Sequence, residues 1–324
     1  MVRTGARIMH VYKATINSKE LKQLSVLEPW RTSAALALDW LVIAAAIAVS
    51  EYAGNIWVYL TAVVLIGGRM HALGVLVHEA AHFRFLKDRR TSEWIMDVFA
   101  AWPVGTTVDG YRHNHLAHHQ HINTEHDPDW VVKLGMTAFT FPQKMRVLTL
   151  RLLGYLVAIS SLMDIAHLLP RVSKGAPKNT RYRLIRLGFY LACAALFTVL
   201  GIWKGVLLYW LIPYFTVFFL FLYVRSVAEH FGGMDYEEEL GSTRTVYPYF
   251  WERLFFAPHN INYHLEHHMF PGVPYYNLPK LHEALMRDPT YRAKAHLTRG
   301  YSTGLVRECL SGTHTPLPSL KVEG

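Results

Sequence analysis

The sequence predicts an all-α integral membrane fold: four transmembrane helices in two hairpins, with a cytosolic helical cap that holds a histidine-rich metal site. Three observations predict it. Apolar residues, 52% of the 324, gather into blocks near or above the roughly 17–25 residues that cross a bilayer. The turns between paired blocks are short and nearly free of Lys and Arg, whereas the long connection is rich in both. The chain also carries 19 histidines, most of them in clusters at block ends on the basic side.

The blocks are 34–50 (AALALDWLVIAAAIAVS), 56–77, 184–203 and 205–224, the last continuing to about 228. Glu51–Asn55 joins the first two and Lys204–Gly205 the last two, each as a short external turn. The stretch from His82 to Arg186 is basic and belongs inside. Segment 150–169 is apolar enough to span. As a span, however, it would put Arg171, Lys174, Lys178, Arg181 and Arg183 outside and separate the third histidine cluster from the first. It also contains Asp164 and His167, both costly in lipid. It is therefore expected to be an interfacial or cap helix, and so is 94–108, which Pro103 breaks. Both termini then lie inside. The cap covers 78–183 and 229–300, followed by a Gly-, Ser-, Thr- and Pro-rich tail, 301–324, expected to be loosely ordered. No repeat or linker divides the chain, so 1–324 reads as one domain.

A net charge of +9 suits cytoplasmic Lys and Arg meeting anionic headgroups rather than nucleic acid. Two cysteines, Cys193 and Cys309, imply no disulfide framework and fit a reducing compartment. The first 30 residues lack the apolar core of a cleaved signal peptide. The aromatics Trp203, Tyr209, Trp210, Tyr214, Phe215, Phe218, Phe219, Phe221 and Tyr223 are expected in an aromatic belt and on the lipid-facing surface, so none is assigned to substrate.

The first histidine cluster is His78–Glu79–Ala80–Ala81–His82 at the end of the second block. Residues i and i+4 share a helix face, so both imidazoles can reach one metal. By itself H-E-x-x-H is also the zinc-protease pattern, or simply a polar membrane interface. The second cluster holds His115, His118 and His119 as H-x-x-H-H, flanked by His113 and His121, which read as supporting or surface residues. The third repeats the spacing with His264, His267 and His268. Three imidazoles within one helical turn repel when protonated, which makes the arrangement costly without metal. His230 leaves the fourth block on the same side and joins them. A zinc hydrolase needs three protein ligands. Nine histidines suit two metal ions with four or five nitrogens each, and imidazole accepts zinc, copper, iron and nickel alike.

These clusters resemble the histidine boxes of the membrane fatty acid desaturase and hydroxylase superfamily. HEAAH is similar to its first box, and HLAHH with the following Asn123 to Asp129 to its second. The segment NYHLEHHMFPGVPYYNLPKLH, Asn262 to His282, is similar to its third box and the continuation found in bacterial acyl desaturases. The resemblance covers roughly 30–285. It implies two iron ions as cofactors, O2 as co-substrate and hydrogen removal from an unactivated C–H bond of an apolar acyl or lipid substrate. It also implies a multi-pass protein of a bacterial inner membrane. There is no HPGG haem segment, so electrons come from a separate ferredoxin or cytochrome b5 type donor with its reductase. His264 stands where front-end desaturases carry Gln. Glu79 becomes a carboxylate orienting a ligand histidine rather than a hydrolytic base. Glu229, Glu266, Asp127 and Asp129 are candidates for the same task, and Asn260 and Asn262 for bonding a metal-bound water. HLAHHQHINTEHDPDW is also similar to a carotenoid ketolase pattern, so oxygen insertion into a lipid or carotenoid stays open beside desaturation. An intramembrane zinc protease predicts one metal. A metal carrier predicts ligands along the spans rather than beyond their ends.

Overall fold

The computed structural model describes residues 16–172 and 180–314. It is mostly helical. Four helices are long and apolar enough to cross a membrane: Pro29–Ala53, Ile56–Ala81, Thr180–Leu200 and Trp203–His230. The first begins with Pro29 in its first turn and ends at Gly54, whose φ of 56° only glycine adopts at little cost. Asn55 then caps the second helix by accepting from the Trp57 amide. The turn between the third and fourth helices falls at Gly201–Ile202, so Lys204 and Gly205 sit inside the first turn of the fourth helix rather than in the connection.

The second helix is the centre of the molecule. Its apolar window is 67% buried, against 0% for the third helix. Gly67 lets the fourth helix cross it closely: a Cβ there would lie 2.6 Å from Val217 Cβ. That contact fixes the helix that ends in His78 against the one that ends in His230. Asp39 of the first helix, fully buried, binds Arg69 of the second (3.1 Å) and His259 (2.8 Å), tying both helices to the turn before the third histidine cluster. His259 and Asn260 both have positive φ in that turn.

Segment 94–108 enters the helix bundle instead of lying on its surface. Arg89–Met96 passes into a π-helical turn, Asp97–Ala101, followed by a tight turn through Gly105. Aromatic side chains donate to carbonyls along both. Trp40 donates to Phe99 O (2.8 Å), Tyr190 to Trp102 O (2.9 Å), Trp210 to Pro103 O (3.1 Å) and Tyr214 to Val104 O (3.1 Å). Away from water each such carbonyl must find a protein partner. Trp210 and Tyr214, expected in an aromatic belt, therefore serve inward, and Tyr209 is buried.

Segment 150–169 is not one straight helix. Met145–Leu156 and Ile159–Leu168 meet at 93°, and Ala158 has a positive φ at the break. Asp164 is held there by Arg151 and Tyr155.

The expected loose tail is wrong over its first part. A π-helical turn, Gly300–Leu305, leads into Val306–Ser311, with Tyr301, Leu305 and Cys309 buried. The cause is fully buried Glu308. Its carboxylate accepts from Arg244 (2.7 Å) and Thr298 (2.9 Å), lies 2.9 Å from His296 Nε2, and clamps the segment onto the parallel strand pair Thr245–Tyr247 and Leu297–Arg299. Residues 315–324 of that tail, and Lys174 and Lys178, lie outside the described residues.

Candidate metal centre

Helix Ile56–Ala81 delivers His78, with His82 as its C-cap, and Trp203–His230 delivers His230. Helix Val108–His121 carries His115, His118 and His119, and His264–Met269 carries His264, His267 and His268. Arg112 locks the second cluster to the first. Its guanidinium donates to Ala81 O (3.0 Å) and Ala80 O (3.1 Å), carbonyls of the last turn where the second helix ends.

All nine histidines converge into two groups. His78, His82, His115, His119 and His267 form one; His118, His230, His264 and His268 form the other; within each, the ligand atoms lie within 4.8 Å of one another. The i, i+4 pairs stay together, while His118 and His267 cross to the opposite group. His113 and His121 lie exposed outside both.

The contacts within the groups are between ring nitrogens. In the first, His82 to His115 is 2.8 Å, His115 to His119 3.1 Å and His119 to His267 3.0 Å, all Nε2 to Nε2. In the second, His118 to His230 is 3.2 Å, His230 to His264 2.9 Å and His264 to His268 3.0 Å. An imidazole nitrogen offers one N–H or one in-plane lone pair. His115, His119, His230 and His264 each touch two other nitrogens through Nε2 and can satisfy only one. Buried His78 has no hydrogen-bond partner at either nitrogen. A cation on the common side of each group satisfies every lone pair at once. Ligands about 2.1 Å from one metal lie about 3.0 Å apart at right angles and about 3.4 Å apart at the tetrahedral angle. The six observed separations, 2.8 to 3.2 Å, are the spacing of nitrogens that share one cation.

Electrostatics agree. Burial pushes His82 down to about 3 and His119 to about 2, and holds His115, His264, His267 and His268 well below the usual imidazole range. The neighbouring imidazoles add to the effect. These rings are neutral at physiological pH, the state that binds metal.

Of the carboxylates expected to orient ligands, Asp127 is placed to do so. Its Oδ2 lies 2.8 Å from His118 Nδ1, and it also accepts the amides of Asn123, Asp129 and Trp130. Glu229, held by Arg225 at 2.6 Å, comes within 3.4 Å of His264 Nδ1. Glu79 comes within 3.5 Å of His78 Nδ1 while accepting the Tyr275 amide. Glu266 does not take this role. Adjacent helix positions diverge, and its carboxylate turns away from His267 to His282, Tyr291 and Thr245. Asp129 makes no hydrogen bond to a histidine; its amide caps onto Asp127. Asn260 and Asn262 donate to Tyr275 O and Val246 O, so those amides brace the turn and the strand. Sequence reasoning missed Arg112, and it missed Tyr111, which stacks on His115 with ring centroids 5.1 Å apart. The available signal was Tyr-Arg-His within the second cluster: a charge and a ring on the histidine face.

Among known proteins, residues 54–300 match the family pattern described as fatty acid desaturase. The chain is 29% identical over 294 residues to dihydrorhizobitoxine desaturase of Bradyrhizobium elkanii, covering 86% of this chain and 83% of that protein. It is 26% identical to the sn-1 acyl-lipid omega-3 desaturase (ferredoxin) of Nostoc sp. (strain 36), covering 76% and 72%. It is also 26% identical to the chloroplastic omega-3 fatty acid desaturase of Ricinus communis, covering 84% of this chain and 63% of that protein.

Proposed function

The chain belongs to the fatty acid desaturase family, and from that premise we propose that it is an O2-dependent di-iron desaturase that introduces a double bond into the acyl chain of a lipid. The observation that carries the reading is the division of nine buried or half-buried histidines into a group of five and a group of four, each with ring nitrogens close enough to share one cation. His78, His82, His115, His119 and His267 would hold one iron, and His118, His230, His264 and His268 the other. When bound, the pair supplies the activation of O2 and the oxidant for C–H cleavage.

In the balanced reaction, the substrate gives up two hydrogens and two electrons, a donor gives two more electrons, and O2 leaves as two waters with two protons taken up. The chain's own residues hold and orient. Asp127 fixes the His118 ring through Nδ1, and the Arg225–Glu229 pair stands at His264. The ends of the second and fourth helices wall the centre against water. The donor is a separate electron-transfer protein; the name of the Nostoc relative carries a ferredoxin. We place the whole chain in one domain of a bacterial inner membrane, with both termini on the histidine side.

The Bradyrhizobium relative favours a second reading, since it is named for dihydrorhizobitoxine rather than a fatty acid. In that reading the same centre desaturates a different substrate. Expression with a reductase system under 18O2, beside a His118→Ala control, tests both. A fatty acid lighter by two hydrogens and free of label supports the first. The same mass change in a non-lipid metabolite supports the second. A product carrying 18O refutes both and makes the enzyme a hydroxylase or ketolase.

A further inference from the structure

A groove of about 790 Å³ opens between the first, third and fourth helices, its mouth at the helix ends remote from the histidines. Its apolar wall includes Trp40, Ile47, Phe189, Phe197, Leu208 and Trp210. Tyr209, also in the wall, packs against Tyr59 with ring centroids 5.7 Å apart. Nineteen residues of the second helix separate Tyr59 from His78, roughly 28 Å at about 1.5 Å per residue. From Phe189 to Phe197 the groove follows the third helix for roughly 12 Å by the same rise, room for much of an extended acyl chain. No residue of the third helix's apolar window is fully buried: Phe189 packs on Trp102 and Tyr190 bonds its carbonyl at the inner end, and much of the remaining face stands open.

Two charged side chains stand in the lining on the face opposite the histidines. Lys204 is exposed and has no ion-pair partner among the described residues. Glu51 accepts from Tyr209 OH at 2.6 Å, which holds its carboxylate at the groove. The two form no ion pair with each other. One free cation and one held anion at the mouth of an apolar slot complement a headgroup that carries a phosphate and an ammonium together.

We propose that this groove is a binding site for a zwitterionic phospholipid of the phosphatidylethanolamine class. One acyl chain lies between the third and fourth helices, with the phosphate at Lys204 and the ammonium at Glu51. The bound lipid packs the open face of the third helix and is not the molecule oxidised.

Native mass spectrometry tests this with the full chain, reconstituted in vesicles of equal phosphatidylethanolamine and phosphatidylglycerol and released in mild detergent. One phosphatidylethanolamine is retained in preference to phosphatidylglycerol. Lys204→Gln and Glu51→Gln each reduce the retention about fivefold, the contribution of one charge near a membrane surface. Cys193→Trp, which fills the groove, abolishes retention while circular dichroism stays unchanged. Equal retention of the two lipids, or retention that survives Cys193→Trp, overturns the assignment. So does a retained lipid that becomes two hydrogens lighter during turnover, which would make the groove a substrate site.

Discussion

Asp127→Asn separates a residue that holds a metal ligand from one that merely stands near it. The Asp127 side chain is fully buried. Oδ1 accepts the amides of Asp129 and Trp130, and Oδ2 accepts the Asn123 amide and the His118 Nδ1–H at 2.8 Å. Asparagine keeps the size and, through its oxygen, the two cap bonds. Its amide nitrogen then faces two donors and can accept from neither. Two hydrogen bonds are lost, and the one to His118 bears on the metal: a hydrogen bond to a charged group contributes about 1.5–3 kcal/mol, or between about 10- and 150-fold in affinity. That range overlaps the 10–100-fold typical of groups that orient a metal-bound histidine. The assay is iron retained against graded chelator, with folding followed by circular dichroism. Asp129→Asn should hold metal as the parent does, because its carboxylate makes no hydrogen bond to a histidine. Glu266→Gln should lower stability through His282 and Tyr291 yet spare metal affinity. Parent-like retention by Asp127→Asn, or an equal loss in Asp129→Asn, would refute the reasoning.

Gly67→Ala places a carbon 2.6 Å from Val217 Cβ and should cost about 1–3 kcal/mol in thermal unfolding. Gly74→Ala meets nothing within 4 Å and should gain up to about 1 kcal/mol; equal melting of the two variants would remove the close crossing from the account. Tyr214→Phe strips the Val104 carbonyl of its donor and should cost about 1–3 kcal/mol, with amide exchange rising over 97–107; unchanged exchange there would count against the aromatic bracing. The Glu308 clamp should weaken in acid. Burial holds His296 near 4, below its unfolded value of about 6.5. Burial opposes ionisation of Glu308, but hydrogen bonds from His296 and His314, with Arg244, keep its carboxyl below the usual carboxylate range. Both folded pKa values are depressed, so the unfolded chain binds more protons and stability rises with pH. The contribution is intact above pH ~6.5 and falls away from there through about 4 and below. Hydrogen exchange over 300–311 should follow that profile and lose it in Glu308→Gln; a flat profile in the parent would rule the clamp out.

The membrane helices were legible because their signals are local. Apolar blocks, Gly54 at a helix end and Asn55 at the next start need no distant partner. The nine histidines were legible because i, i+3 and i+4 spacing encodes a shared face. What escaped the sequence depends on contacts between remote residues. The segment after 300 looks like a tail until Arg244, 64 residues earlier in the chain, reaches Glu308. The aromatics of the fourth helix look like a belt until the carbonyls of Pro103 and Val104 are found against them. Glu266 resembled Glu79 in standing beside a histidine, but His282, Tyr291 and Thr245 decided where its carboxylate points. The split of each H-x-x-H-H between two groups could not be read from spacing, since a helix face does not say how many metals it serves.

That split has a mechanical consequence. His118 and His119 are adjacent in sequence, lie 5.9 Å apart by ring centroid and belong to different groups; so do His267 and His268 at 5.8 Å. Each short helix therefore feeds both groups, and their separation is set by one residue step rather than by loop geometry. The same design is costly without metal. His78 is buried with no hydrogen-bond partner at either nitrogen, and His115, His119, His230 and His264 each crowd two other nitrogens at one Nε2; a buried polar group left unsatisfied costs about 1–3 kcal/mol. Occupancy of the ring nitrogens offsets part of that cost, so metal binding is also folding energy. Chelation should lower the melting temperature and raise amide exchange in 108–121 and 264–269 together, because neither helix can release one group and keep the other. Independent loosening of the two helices during a chelator titration would show two separable sites and break the argument from shared helices.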